Sequence, residues 1–583
     1  MKLKYFSFFL VFATASLFGN EPYKIAAKGD CHEADIIVIG AGGAGCVLMN
    51  KLSEKGQFSV LGIEAGLNLT SDPAIEAVGL PALLLPATNA YRYYWWGWRQ
   101  TIPQPMLNGR IGGDWITGMM LGGGTSVNGL YYGRGSDAVY SEWEEISGSS
   151  NWSLDKILKT FRALEDYNGN LITAGARGNK GPVNVLQTPT VSDLTLNILL
   201  HVTQTAFPGI PVVEDYNDPS VENCLDPRTQ WLIDPSGKRV SSATAFLNDA
   251  VMTPEGHGVN GHNLHLVFDA VVDKIVFDKH GRATGVRYIK DGELIEAHAK
   301  KAVVVASGIN SSKILQLSGI GPRAILENAG IEPVFINENV GQHLKNHPLM
   351  SIILLANPAD NGIPPGASYA FTIHNVYLPV VGGSASDPRA LQILFEYVPA
   401  TPQTIFPLLV IGFELLNPQS EGSTNIQSDN PFQITAAGDG VYSNPVDFEN
   451  MKNFIKVYIK DLLAQLALVN PSSLIYYKPI ITDPINLVQF FHYSNDSVEF
   501  YVKNNTNLNA DARHFVSHCK MAPLSAGGVV DGDTRVYGTK NCYVVDNSIC
   551  PEIPDINTTA AALMIGWRSS EILKHKLRDK NVN

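Results

Sequence analysis

The segment Ala34–Gly45, ADIIVIGAGGAG, restricts the fold of this chain more than any other stretch. Ile36 to Ile39 carries no charge and is rich in β-branched residues, the composition of a strand buried on both faces. Gly40-x-Gly42-x-x-Gly45 follows without a gap, and Val47, Leu48 and Leu52 then recur on one side of a helix. A second apolar strand, Val60–Ile63, ends at Glu64. A glycine triplet alone means little, but between a strand and a helix, with an acid roughly 20 residues on, it specifies a dinucleotide site. The first glycine permits the tight turn, the second lets backbone approach a pyrophosphate at the helix N-terminus, and the third allows close helix packing. Glu64 can accept hydrogen bonds from ribose hydroxyls. The pattern predicts an α/β fold with a Rossmann-like domain, and it does not separate a nicotinamide from a flavin.

The 583 residues leave room for two or more domains. With 45% apolar and 17% charged residues, disorder is excluded for most of the chain. The net charge is −12 and the acids are scattered, so no basic footprint for nucleic acid exists. Lys2 and Lys4 precede an apolar run, Tyr5 to Ala15, and then small residues that allow cleavage after Ala15 or Gly19. Residues 1–20 read as a secretory signal peptide, and the protein as secreted or periplasmic. The run falls short of the roughly 20 apolar residues that cross a bilayer, and no later segment reaches that length, so no membrane span is expected. Six cysteines (Cys31, Cys46, Cys224, Cys519, Cys542, Cys550) are too few for a disulfide scaffold, and one bridge at most is expected. Cys46 opens the helix of the dinucleotide unit, where burial as a small apolar group is its expected role.

Three further segments bear on the cofactor: Gly118 to Gly135, GMMLGGGTSVNGLYYGRG; Ser307 to Gly321, SGINSSKILQLSGIG; and Val340 to Pro348, VGQHLKNHP. With the fingerprint and Glu64-Ala65-Gly66, they resemble the glucose-methanol-choline (GMC) family of FAD-dependent oxidoreductases, in that family's order across about residues 34 to 570. Arg239 to Ala243 and Asn417 to Gly422 extend the match. The resemblance implies FAD as cofactor, no metal, and a Rossmann-like flavin domain discontinuous in sequence: residues 31–75, 107–150, 239–348 and 512–583. Residues 76–106, 151–238 and 349–511 fall to a substrate domain and lid, an antiparallel sheet backed by helices. Gly122, Gly123 and Gly124 place backbone against a flat ring or phosphate without side-chain obstruction, and Asn128 offers a donor and an acceptor. By resemblance these line the isoalloxazine and pyrophosphate side of FAD, although Met119 stands where the family usually has a basic residue. Val272 matches the position whose backbone holds adenine, and it reads equally as an ordinary core valine.

Outside these motifs, alternating apolar residues between Leu264 and Tyr288 predict two strands around the turn His280-Gly281. Strand-like runs occupy Ser351 to Tyr397 and Ile426 to Ile434. An amphipathic helix starts at Asp447, with Met451, Phe454, Ile455, Tyr458 and Leu462 at helical spacing. The aromatic run Tyr91 to Trp98 either walls a substrate entrance or packs a loop over the domain seam, and packing is the reading preferred here.

Near the C-terminus, Arg513 to Met521 reads RHFVSHCKM, Cys542 to Pro551 reads CYVVDNSICP, and Asn557-Thr558 follows. Asn557 lies 43 positions after His514, and by resemblance the two fill the family's catalytic places. Oxidation of an alcohol needs a base for the hydroxyl proton and a fixed donor for the oxygen, roles that suit a neutral imidazole and a carboxamide. Asp546, Asn547 and Thr558 are assigned to flavin contacts by the same resemblance. Two departures stand out. Ser517-His518 replaces the family's Gly-Thr, with His518 read as a hydrogen-bonded partner in preference to a second base. Arg513 replaces a common aromatic residue, and either selects an anionic or polyol substrate or is ion-paired or solvent-facing. Cys519 is read as a buried, inert thiol rather than a reactive one. The resulting expectation is a secreted FAD-dependent alcohol oxidase or dehydrogenase, acting on a small-molecule alcohol with dioxygen or a quinone as electron acceptor. The alternatives are a hydroxynitrile lyase on the same fold and a non-catalytic flavin-binding protein.

Overall fold

A computed structural model describes residues 24–25, 32–78, 94–356, 362–364, 367, 372–400, 407–469, 493–508 and 512–578. The signal-peptide segment, Cys31 and Tyr91 to Tyr93 lie outside the described residues. The apolar run after Ala34 forms the strand Glu33–Ile39, with Ile36, Ile37 and Val38 fully buried. It lies in register between Val60–Ile63 on one side and Glu293–Val305 on the other, both parallel to it. Leu264–Val267 adds a fourth parallel strand beyond Val60–Ile63, and Cys542–Val544 pairs with Val303 to Val305. Glu293–Val305 serves two arrangements. Its C-terminal half belongs to this parallel sheet, and its N-terminal half pairs antiparallel with Ala283–Lys290, which in turn pairs with Val271–Phe277. The glycine-led helix spans Gly43–Ser53, and the long final helix, Thr559–Arg578, packs against it.

The turn between the first strand and its helix is built from backbone in contact with backbone. Gly40 has φ of +97°, and a Cβ there would meet the Ala306 carbonyl oxygen at 2.7 Å. A Cβ on Gly45 would lie 2.1 Å from the Gly40 carbonyl oxygen. The helix therefore sits as close to the turn as a chain without side chains allows. Cys46 is buried against this turn, its thiol donating to the Ala41 carbonyl at 3.1 Å. All five described cysteines are buried free thiols.

A second sheet is antiparallel throughout, in the order Leu349–Leu355, Leu408–Leu415, Leu391–Val398, Thr372–Leu378, Cys224–Asp226. Its core includes Ile373, Val376, Ile393, Phe395, Ile411 and Phe413, together with helix residues Leu199, Val202, Met451, Phe454, Ile455 and Leu462. The mixed α/β chain thus has a Rossmann-like parallel sheet and a second, antiparallel sheet backed by helices.

Several local expectations need correction. The stretch Leu264 to Tyr288 holds three strands, because Asp269, at φ of +54°, breaks the apolar alternation before Val271. Ile426 to Ile434 is not a strand; short strands flank it at Ser423–Asn425 and Thr435–Gly438, and Ile426 N–H is taken by the Gln316 side chain. The helix expected from Asp447 begins at Pro445, where the Asn444 side chain caps Val446 N–H and proline suits the first turn. Leu408–Leu415 was not anticipated, since an unbroken apolar run shows no period.

A buried ionic network joins Arg134, Glu165, Arg177 and Asp215. Glu165 accepts from Arg134 Nε at 2.6 Å, Arg177 Nε at 3.0 Å and Tyr132 Oη at 2.7 Å, and Arg177 Nη1 reaches Asp215 at 2.8 Å. The two guanidinium groups outweigh the desolvation of Glu165 and hold its carboxyl at about 2. Folded-state depression of a carboxyl pKa stabilises the fold above the unfolded value, near 4.5, and the benefit, about 3 kcal/mol, disappears as pH falls towards 2. Glu165→Gln leaves two buried cations short of counter-charge and should cost about 3 kcal/mol at pH 7, with far less difference from wild type at pH 2–3 in urea titrations. Gly45→Ala forces a methyl group into backbone and should cost about 1–3 kcal/mol or more, read as a lowered melting temperature.

Candidate active site

One cavity of about 670 Å³ lies between the glycine turn and the antiparallel sheet. Its floor combines Gly42 at the N-terminus of the Gly43–Ser53 helix with Gly123 and Gly124. The two glycine segments are joined by Gly122 N–H donating to the Ala41 carbonyl at 2.8 Å. At Gly42 and Gly124 the space where a side chain would stand is open for 4 Å. Glu64 and Val272 line the same cavity. Glu64 accepts Ala41 N–H at 2.8 Å and Gly66 N–H at 2.9 Å, so the carboxylate also locks the turn, while burial raises its pKa. Each of its oxygens keeps a second lone pair for a ribose hydroxyl.

The other sequence-predicted contacts divide into clasps and open acceptors. Asn128 lines the cavity, but its polar atoms are engaged: Oδ1 accepts from Arg239 Nη1 at 2.8 Å and Leu130 N–H at 3.1 Å, and Nδ2 donates to Thr559 Oγ1 at 3.2 Å. Asp546 accepts Gly308 N–H at 3.0 Å, Ser311 Oγ at 2.6 Å and Ser548 N–H at 2.8 Å, so it fastens the Ser307 to Ser311 turn to the C-terminal block. Asn547 donates to the Thr558 carbonyl at 3.1 Å and leaves Oδ1 buried without a partner. Asn310 Oδ1 and Asn557 Oδ1 are likewise buried and unpartnered, and all three asparagines line the cavity. Unpaired buried polar atoms facing a cleft of bare backbone at a helix N-terminus fit a large polar cofactor with phosphates and a ring.

His514 lines the same cavity. Two hydrogen bonds between Lys345 and Val516, each 3.1 Å, zip the Val340 to Pro348 motif to the C-terminal block, and Asn346 Oδ1 accepts His514 N–H at 2.9 Å. Phe515 stacks on Trp115 at 4.6 Å, which fixes the next residue. Asn557 Nδ2 lies 3.1 Å from His514 Nε2, and His347 Nδ1 lies 2.8 Å from His514 Nδ1. Burial lowers the His514 pKa to about 4, so the ring is neutral at ordinary pH. Arg513 lines the cavity at φ of +54°, and Ser517, where the resemblance puts glycine, keeps a left-handed turn at φ of +69°. His518 is buried, holds Ser312 Oγ at 3.0 Å and does not line the cavity. The Cys519 thiol is pushed far up by burial and is inert.

Three residues escaped sequence reading. His347 sat within a motif used only for its resemblance. Glu396 and Glu414 face the cavity from adjacent strands of the antiparallel sheet. Burial moves Glu396 up to about 7 and Glu414 up to about 8, the latter with Glu396 adding repulsion. The signal was present: a lone acid in LQILFEYV and in LLVIGFEL is out of place in an apolar strand.

Models of the GMC oxidoreductase family match residues 34–349 and 418–566. Oxygen-dependent choline dehydrogenase of Vibrio vulnificus is 30% identical over 93% of this chain and 94% of its own length, and that of Rhizobium meliloti 29% over 92% and 95%. Mitochondrial choline dehydrogenase of Mus musculus is 28% identical over 94% of this chain and 91% of its own. In fold, pyridoxine 4-oxidase from Mesorbium loti superposes with a TM-score of 0.77 at 23% identity, covering 94% and 99% of the two chains. Formate oxidase of Aspergillus oryzae gives 0.79 at 20%, covering 95% and 100%. Fingerprint, cleft and relatives agree: the chain belongs to the GMC oxidoreductases, FAD-dependent enzymes that act on CH–OH groups.

Proposed function

We propose that this chain oxidises a small alcohol with His514 as the general base, and that the alcohol carries a cationic group, as choline does. The observation that carries the reading is a neutral imidazole opening onto the cavity with its Nε2 3.1 Å from the Asn557 carboxamide. Bound FAD would supply the two-electron acceptor for the hydride leaving the carbinol carbon. Its phosphates would meet the N-terminus of the Gly43–Ser53 helix and the amides around Gly123, with the ribose at Glu64 and the ring beside Asn547 and Thr558. His514 Nε2 takes the hydroxyl proton, and Asn557 Nδ2 steadies the oxygen as charge develops on it. Glu414 and Glu396 offer buried negative charge to a cationic head; a bound cation lowers both carboxyl pKa values, so binding releases a proton near neutrality. Export of the mature chain, read from Lys2, Lys4 and the Tyr5 to Ala15 run, belongs to the same proposal.

Anaerobic stopped-flow mixing of the yellow enzyme with choline, neutral primary alcohols and cyanohydrins tests the assignment. His514→Ala should slow flavin reduction by about 10²–10⁴ with flavin still bound. Asn557→Ala should lose about 10²–10³, and His518→Ala much less. A flavin that no alcohol bleaches, or a cyanohydrin cleaved with the flavin oxidised throughout, would overturn the reading.

The pH dependence separates the groups. Because burial holds His514 near 4, the acid limb of reduction should lie well below the ordinary histidine value of about 6.5. kcat/KM for a cationic alcohol should instead rise through about 7 to 8 as the carboxyls ionise. Glu414→Gln should flatten that rise and raise KM for choline, leaving neutral alcohols less affected.

A further inference from the structure

His514 does not meet its second histidine in the usual edge-on way of a base and a carboxylate. The two rings stand nearly perpendicular, at 82°, with Nδ1 against Nδ1 at 2.8 Å. Only one hydrogen fits between two nitrogens at that distance, and the rest of the network decides whose it is. Asn557 Nδ2 is a donor, so His514 Nε2 presents its lone pair. A neutral His514 then carries its hydrogen on Nδ1 and donates it to His347 Nδ1, and His347 carries its own on Nε2.

The His347 ring is buried with the Leu416 and Pro554 carbonyls beside it, its Nε2 has no hydrogen-bond partner, and burial and the neighbouring His514 hold its pKa well below the ordinary histidine value. Glu414 Oε2 lies 4.0 Å from His347 Nδ1, is itself buried and has no hydrogen-bond partner. Glu396 lies on the adjacent strand, opposite Val410 while Glu414 stands opposite Gln392, and its charge adds repulsion at Glu414. Lys345 turns away to Glu552 at 2.7 Å, and Asp439 is paired with Asn346, so neither brings charge to the imidazoles.

Resting on the reading of His514 as base, we infer that His347 is a positioning residue that fixes the His514 tautomer and receives its Nδ1 proton, with Glu414 as counter-charge. When the substrate O–H bond breaks, the proton bonds to His514 Nε2, and FAD, when bound, would supply the acceptor for the hydride. The His514 Nδ1–H bond then breaks as His347 Nδ1–H forms. His514 ends neutral with its hydrogen on Nε2, and His347 ends as an imidazolium 4.0 Å from the Glu414 carboxylate. One positive charge thereby moves one residue away from the reacting carbon, and no proton is created or lost.

The test uses the full-length, FAD-loaded enzyme, a reducing alcohol, and anaerobic stopped flow in mixtures of H₂O and D₂O. Wild type should give a curved dependence on deuterium fraction, the mark of two protons moving in one step. His347→Leu should retain flavin, reduce about 10–100-fold more slowly, the range for loss of a group that orients a functional imidazole, and give a linear dependence. His347→Gln keeps an acceptor for the His514 Nδ1–H but cannot take the proton. It should recover most of the rate while its dependence stays linear, a split that general damage to the fold would not produce. A His347→Leu enzyme as fast as wild type, or a Gln variant no faster than Leu, overturns the inference. So does a stoichiometric transition metal on the purified enzyme whose removal changes the rate, since His347, Glu414 and His514 offer ligand atoms within 4.8 Å of one another. If His514→Ala itself reduces at the wild-type rate, it is the function reading that falls.

Discussion

Everything on the cofactor side of this protein depends on peptide backbone being allowed to touch peptide backbone. The helix at Gly45 rests on the Gly40 carbonyl, Gly66 is pressed against the Met119 carbonyl, and Gly123 against the Cα of Gly42. Because no side chain intervenes, amide N–H groups from separate segments converge on one cleft. Glu64 then ties two of those segments, at Ala41 and Gly66, with a single carboxylate. A dipolar surface of this kind serves an anionic ligand without needing a basic residue at Met119.

The opposite wall works by side chains. A strand lifts every second residue towards the cavity, so Leu394 and Glu396, then Val410, Gly412 and Glu414, alternate apolar shape with acid. The two walls differ in kind: the parallel-sheet side presents bare backbone, and the antiparallel sheet presents alternating side chains. The buried Arg134–Glu165–Arg177–Asp215 network ties together residues from separate stretches of the chain through charge and hydrogen bonds.

What the chain disclosed before its structure follows the range of each interaction. The Gly40 turn, the Val60–Ile63 strand and the Gly43–Ser53 helix are local, since adjacent residues carry both cause and effect, and they were legible to within a residue or two. His514 and Asn557 became legible only through resemblance; nothing in their own neighbourhoods announces that positions 43 apart lie 3.1 Å from each other. Asn128 and Asp546 line the cleft, yet their polar atoms turn mostly to other protein groups, a distinction that depends on partners such as Arg239 and Ser311 far away in sequence. His347 and the two strand carboxylates went unread because their importance arises from what they face, and facing is a property of the folded chain.

The final helix, Thr559–Arg578, lies on the very first one, and the strand Cys542–Val544 completes the sheet beside Val303 to Val305. A ribosome therefore finishes the glycine turn hundreds of residues before it supplies the segments that close it. Until the last seventy or so residues emerge, the nascent chain exposes an apolar helix face and an unfilled sheet edge, surfaces that invite chaperone capture. The cleft whose wall includes Asp546, Asn547, Asn557 and Thr558 takes shape only once that segment has folded back onto the glycine turn.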